Sequence, residues 1–128
     1  MESLGLILID GFYKDKRIFI TGHTGFKGSW LSIWLNMMGA DVIGYALEPY
    51  TKRDNYVITK LEEKMTHIIG DIRDYKSLIS VFQRYEPEFV FHLAAQPLVR
   101  ESYINPKETY DINIGGLVNL LECCRLTE

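Results

Sequence analysis

Apolar positions along this chain follow two periods: short continuous apolar runs, and stretches in which apolar residues recur every three or four positions. Arg17-Ile18-Phe19-Ile20-Thr21 is a run of the first kind that meets a glycine-rich turn, and it predicts a buried strand. Phe26 to Met38 then carries Leu31, Trp34, Leu35 and Met38 at helical spacing, with Gly39 placed to close the helix in the left-handed region. Asp41 to Ala46 and Thr66 to Gly70 predict the next two strands. The polar connection between them contains Pro49 and a short helix near Tyr56 to Lys64. Asp74 can cap a helix whose Leu78, Ile79, Val81 and Phe82 face inward and which Pro87 ends. Phe89 to Leu93 predicts a fourth strand, followed by a polar loop to Asn105-Pro106-Lys107-Glu108. That order suits a helix start, with Asn as cap, Pro first and Glu three residues after the cap. The helix so begun runs through Leu117, Leu120 and Leu121.

Strands that read as unbroken apolar runs and alternate with helices imply a parallel sheet covered on both faces. The expected fold class is therefore α/β, a doubly wound parallel sheet; in the dinucleotide-binding version of that fold the strand order is 3-2-1-4-5-6, of which this chain would supply four strands, 3-2-1-4. One domain over residues 16–128 and an N-terminal extension over 1–15 are expected. The apolar run Leu4 to Ile9 is too short, and lacks the basic flank, for a signal peptide.

Composition narrows the partners. At 14 basic against 17 acidic residues, with a formal charge of -3, the chain offers no basic field for nucleic acid and no polybasic tract for lipid. No stretch nears the ~20 apolar residues of a membrane span, so a cytoplasmic location is expected. The only cysteines, Cys123 and Cys124, are adjacent, which fits neither a disulfide framework nor a metal site. No metal is expected.

The strongest chemical signal is Thr21-Gly22-His23-Thr24-Gly25-Phe26-Lys27-Gly28, between the first strand and the first helix. There a helix N-terminus points unpaired N–H groups and a positive dipole end at the carboxyl ends of the strands, where a diphosphate can sit. Gly22 would permit the tight turn, Gly25 the approach of phosphate oxygens, and Gly28 close packing of helix on strand. A nucleoside-triphosphate loop is a poorer match, because Lys27-Gly28-Ser29 reverses the order of lysine and glycine.

With this turn, the blocks Gly70-Asp71-Ile72-Arg73-Asp74, His92-Leu93-Ala94-Ala95-Gln96-Pro97-Leu98-Val99 and Asn105-Pro106 followed by Tyr110, Asn113, Gly116, Asn119 and Glu122 make the chain resemble the extended short-chain dehydrogenase/reductase family, the NAD-dependent epimerases and dehydratases. Gly22 to Leu31 and Ala94 to Arg100 look most like its CDP-glucose 4,6-dehydratase branch. The resemblance implies a Rossmann fold with NAD as cofactor, held by Gly22, His23, Thr24, Gly25, Phe26, Lys27, Gly28, Tyr45, Asp71, Ile72, Leu93, Ala94, Ala95, Gln96 and Asn113. Asp71 would accept from the adenine amino group, or else simply flank a helix, while Ile72 packs on the ring. Asn113 would bridge backbone groups near the cleft, or else lie on the helix surface. Arg100 and Ser102 would face substrate, or else belong to a solvated loop. NAD is favoured over NADP because Tyr45-Ala46-Leu47-Glu48 ends on an acidic group, Arg53 lying too far along. His23 is expected to crowd the diphosphate turn and weaken binding.

For the complete enzyme the resemblance implies oxidation of CDP-glucose at C4, loss of water across C5 and C6, and return of the hydride to C6. It also implies a homo-oligomer serving deoxysugar supply for lipopolysaccharide O-antigen. Another nucleotide sugar, or a non-catalytic dinucleotide-binding module, are the alternatives. The family's catalytic Tyr-x-x-x-Lys follows a fifth strand, so no catalytic residue and no activity are expected of this chain alone. Tyr56 to Lys60 and Tyr103 to Lys107 have the same spacing. The first lies at the adenine side of the cleft, and Pro106 interrupts the second.

Overall fold

The computed structural model describes residues 11–127. Four parallel strands, β1 (Arg17–Thr21), β2 (Asp41–Ala46), β3 (Thr66–Ile69) and β4 (Phe89–His92), lie in the order β3-β2-β1-β4. The register runs Arg17 to Asp41 through Thr21 to Tyr45, Ile18 to Phe89 through Thr21 to His92, and Ile43 to Thr66 through Ala46 to Ile69. The expected order is thus the observed one. The chain reverses direction across the sheet between β1 and β4, which leaves a crevice at their carboxyl ends.

Strand alternation sorts the core into two layers. Ile18, Ile20 and Val42 face α1 (Phe26–Met37), where they meet Leu35 and Ala40. Phe19, Ile43 and Tyr45 face the other way, against Leu78, Val81 and Phe82 of α3 (Tyr75–Tyr85) and Leu120 and Cys123 of α6 (Gly116–Leu126). Helix α1 ends as anticipated, with Gly39 at φ 81°. The Asp74 carboxylate accepts from the Ser77 N–H and starts α3.

Several elements depart from expectation. The predicted helix near Tyr56 to Lys64 is two pieces, α2 (Asn55–Ile58) and a 3₁₀ turn (Leu61–Glu63), parted by Lys60 in the left-handed region at φ 50°. The loop after β4 contains a helix, α4 (Val99–Ile104). The final helix runs on as expected but not as a uniform α-helix: α5 (Pro106–Tyr110) passes through a π-helical turn, Asp111–Gly115, into α6, with helical backbone at both junctions. Asn105 occupies the cap position of α5 without a side-chain cap bond, and Glu108 instead pairs with Arg73. Trp34, which shares a helical spacing with Leu35, and Leu117 and Leu121 on the last helix are exposed, while Leu35 and Leu120 are buried. Within the expected extension, residues 11–15 dock on the body. Phe12 and Tyr13 pack edge-on against Phe89 at 5.6 and 5.9 Å, and the Asp15 N–H donates to the Gly39 carbonyl. The Leu4 to Ile9 run lies outside the described residues.

Candidate functional site

The turn from β1 into α1 is built by backbone crowding. Gly22, at φ 76°, donates its N–H to the Tyr45 carbonyl, and its own carbonyl accepts from the Gly25 N–H. A Cβ on Gly22 would lie 2.7 Å from the Ala94 nitrogen, and one on Gly28 would lie 2.1 Å from the Gly22 oxygen. Both meet backbone rather than movable side chain, so only glycine fits at either place. The first intrahelical bond of α1 runs from the Ser29 N–H to the Gly25 carbonyl. The amides of Phe26, Lys27 and Gly28 therefore precede the helix's own acceptors and are left for another group. Gly25, Phe26 and Lys27 are exposed around them. The buried Thr24 donates its hydroxyl to the Leu47 carbonyl at 2.9 Å, tying the turn to the loop after β2. This is the shape and polarity that an anionic diphosphate needs.

Next to the turn, the exit of β4 supplies a second wall. The N–H groups of Leu93 and Ala94 both donate to the hydroxyl of Thr21, each at 3.1 Å. Further along, Asn113 on the π-helical turn accepts from the Gln96 N–H at 2.8 Å and donates to the Gln96 carbonyl at 3.1 Å. Gln96 in turn donates its side-chain amide to Thr109. The turn's widened register coincides with Asn113, the residue that reaches the strand exit.

Between the segments that follow β2, β3 and β4, a recess of about 210 Å³ is bounded by Leu47, Tyr50, Arg73, Gln96, Asn105 and Thr109. Asp71 lies after β3 with its carboxylate held by the Arg73 guanidinium at 2.6 to 3.1 Å, and Arg73 also reaches Glu108 of α5 at 3.2 Å. The Arg73 bonds hold the Asp71 carboxyl below its ordinary range.

A family profile described as GDP-mannose 4,6 dehydratase matches residues 19–128. The CDP-glucose 4,6-dehydratase of Salmonella typhimurium is 55% identical over 111 residues, 87% of this chain and 31% of that protein. Among solved structures, UDP-glucose 4-epimerase from Brucella ovis in complex with NAD superposes with a TM-score of 0.76 at 29% identity, covering 88% of this chain and 33% of that one. An epimerase from Methanothermobacter thermautotrophicus superposes at 0.85 and 29% identity, covering 99% and 37%.

The chain belongs to the GDP-mannose 4,6 dehydratase family.

It spans about a third of the length of the relatives it matches, 31% of the first of them. That membership agrees with the resemblance read from the glycine turn and the blocks after β3 and β4. Of the residues expected at the dehydratase cofactor cleft, the structure brings together Gly22, Gly25, Phe26, Lys27 and Gly28 at the turn, with Leu93, Ala94, Ala95 and Gln96 beside it. Asp71 does not line the recess; its carboxylate is bound to Arg73, which does.

Three side chains point elsewhere. His23 is fully buried and does not crowd the turn. Its ring lies under α1 over Gly44, whose Cβ would be 2.3 Å away, and its Nε2 is 2.6 Å from Nδ1 of His67 on β3. Tyr45 is in the core between Phe19 and the space above Gly70, with its hydroxyl donating to the Asp71 carbonyl. Ile72 packs on Gly116 of α6 and is 6% exposed, so its side chain does not reach the recess. Strand and turn geometry decides each case, by sending the Cβ to the core side.

Arg100 is exposed on α4, and the Ser102 hydroxyl is spent on the Val99 carbonyl at 2.6 Å. Tyr56 is buried against His23, and Tyr103 and Lys107 stand on separate helices, so neither Tyr-Lys spacing makes a working pair. Sequence reasoning missed Thr21, Arg73 and Thr109 as supports of the site. Only their nearness to glycine or strand-end blocks could have drawn attention to them. No helix among the described residues is long and apolar enough to cross a membrane.

Proposed function

We infer that this chain is the NAD-binding portion of a nucleotide-sugar dehydratase whose whole protein acts on CDP-glucose. The observation that carries the reading is the turn at the head of α1: three successive amides without helical acceptors, above glycines that leave no room for a Cβ. When bound, NAD supplies a hydride acceptor. The Phe26 to Gly28 amides would hold its diphosphate, Leu93 to Ala95 would border it, and Asp71 would lie at its adenine end. Glu48, exposed after β2, disfavours a 2′-phosphate by charge and so favours NAD over NADP. CDP-glucose is favoured because the relative of that name is 55% identical, against 37% for a UDP-glucuronate 4-epimerase of Arabidopsis thaliana. Arg100 is the candidate to meet substrate, from its exposed place on α4. Residues 16–128 form the binding unit, and the working protein is a homo-oligomer that completes the site with a Tyr-x-x-x-Lys pair.

Titration calorimetry of the chain with NAD and NADP tests the first half. Saturable heat with NAD, weaker with NADP, is the expected result, and no heat with either overturns it. Turnover of CDP-glucose, UDP-glucose and GDP-mannose by the whole protein tests the second, with CDP-glucose expected to be preferred. The chain alone is expected to turn over none of them.

A further inference from the structure

The buried hydroxyl of Thr21 stands where β1, β4 and the glycine turn converge. Its oxygen takes the Ala94 N–H and shares the Leu93 N–H with Thr21's own carbonyl, all at 3.1 Å. It also lies 2.7 Å from Nδ1 of His92. A hydroxyl has two lone pairs and one proton. The Ala94 N–H takes one lone pair and the shared Leu93 N–H leans on the other, an arrangement best completed when the proton goes to His92 Nδ1. His92 is thereby favoured as the neutral tautomer that carries its hydrogen on Nε2. An imidazolium, with a hydrogen on both nitrogens, would set an N–H in competition with those of Leu93 and Ala94 for the same oxygen. Burial already disfavours that form, and among the described residues no charged group contributes to His92's shift. The neighbour that faces it from β1 is Thr21.

We propose that Thr21 and His92 form a proton-sensitive latch that holds the strand exit Leu93 to Ala95 against the glycine turn and so sets the affinity for the dinucleotide. The proposal rests on the reading that this turn holds NAD. Its mechanical basis is the contact between the two walls, since the Ala94 nitrogen is only 2.7 Å from where a Gly22 Cβ would be. The Thr21 hydroxyl is the hydrogen-bond partner of the Ala94 N–H, while Leu93 keeps the Thr21 carbonyl and Ala94 keeps its packing on the core, so losing the hydroxyl loosens the exit at Ala94 rather than freeing it. Both residues are positioning residues: they act through the backbone of Leu93 and Ala94 and not by touching the ligand.

The test is NAD affinity of the chain across about pH 5.5 to 8 for wild type, Thr21→Val, Thr21→Ser and His92→Asn, whose amide oxygen can stand in for Nδ1 as acceptor but does not titrate. Thr21→Val should weaken NAD about tenfold at neutral pH, the equivalent of one lost hydrogen bond, and Thr21→Ser should restore it. Wild-type affinity should fall at the acid end, while His92→Asn should flatten that fall. A Thr21→Val affinity equal to wild type, or the same acid fall in His92→Asn, overturns the latch. If the wild-type chain binds no NAD, the functional reading fails and the latch is judged separately. Imidazole ¹⁵N shifts must then show hydrogen on Nε2 of His92, and amide exchange at Ala94 must quicken in Thr21→Val and recover in Thr21→Ser. Hydrogen on Nδ1, or unchanged exchange, overturns it.

Discussion

Acidification should destabilise this fold through His23 before any carboxylate protonates. His23 is 0% exposed, its Nδ1 has no hydrogen-bond partner, and its Nε2 is committed to His67. Burial, and next the neighbouring His67, push its pKa from 6.5 down to about 3, with the Tyr45 carbonyl opposing weakly. The sign follows from linkage: the unfolded chain takes up a proton near 6.5, the folded chain does not until about 3, and so stability is lost as pH falls between those values. Each pH unit in that window costs about 1.4 kcal/mol, which comes to about 2 kcal/mol between about pH 8 and about pH 5. His67 is lowered by burial against the pull of Glu48 and Glu62, and His92 is lowered by burial, so both add in the same direction. Urea denaturation at a series of pH values reads the slope, and His23→Gln, which cannot titrate, should reduce proton uptake on unfolding at about pH 5 by about one. Equal slopes for wild type and His23→Gln would refute the reasoning.

The remaining predictions concern crowding and support. Gly28→Ala puts a methyl 2.1 Å from the Gly22 oxygen; thermal melts should show a cost of about 1 to 3 kcal/mol and calorimetry a loss of NAD binding. Gly44→Ala collides with the His23 ring at 2.3 Å, so its cost should shrink in the double variant with His23→Ala, and a double-mutant cycle that adds up would contradict the packing. Asn113→Ala strips both Gln96 backbone groups of their partner, and hydrogen exchange at Gln96 should rise with a stability loss of about 1 to 3 kcal/mol. Arg73→Ala should cost no more than about 1 kcal/mol, since its pairs are partly exposed, but carboxyl NMR should show the Asp71 pKa rising toward its ordinary value.

What sequence alone determined is what neighbours in the chain can enforce. The β1 run, the turn glycines, the limits of β2, the left-handed Gly39 and the Asp74 cap all depend on residues within a few positions of one another, and each appeared where the pattern put it. The strand order was readable only because the glycine turn pointed to the dinucleotide-binding version of the doubly wound sheet, other versions having another order. Tertiary structure decided where side chains look. His23 turned under α1 because Gly44 and His67 leave a ring-sized space there, and Ile72 turned inward because Gly116 makes room on α6. The last helix widened at Asp111–Gly115, where Asn113 meets Gln96, and Thr21 met His92 across 71 positions of chain. Such contacts form between distant segments whose separation local periodicity does not encode, and they shape the cleft more than the motif letters do.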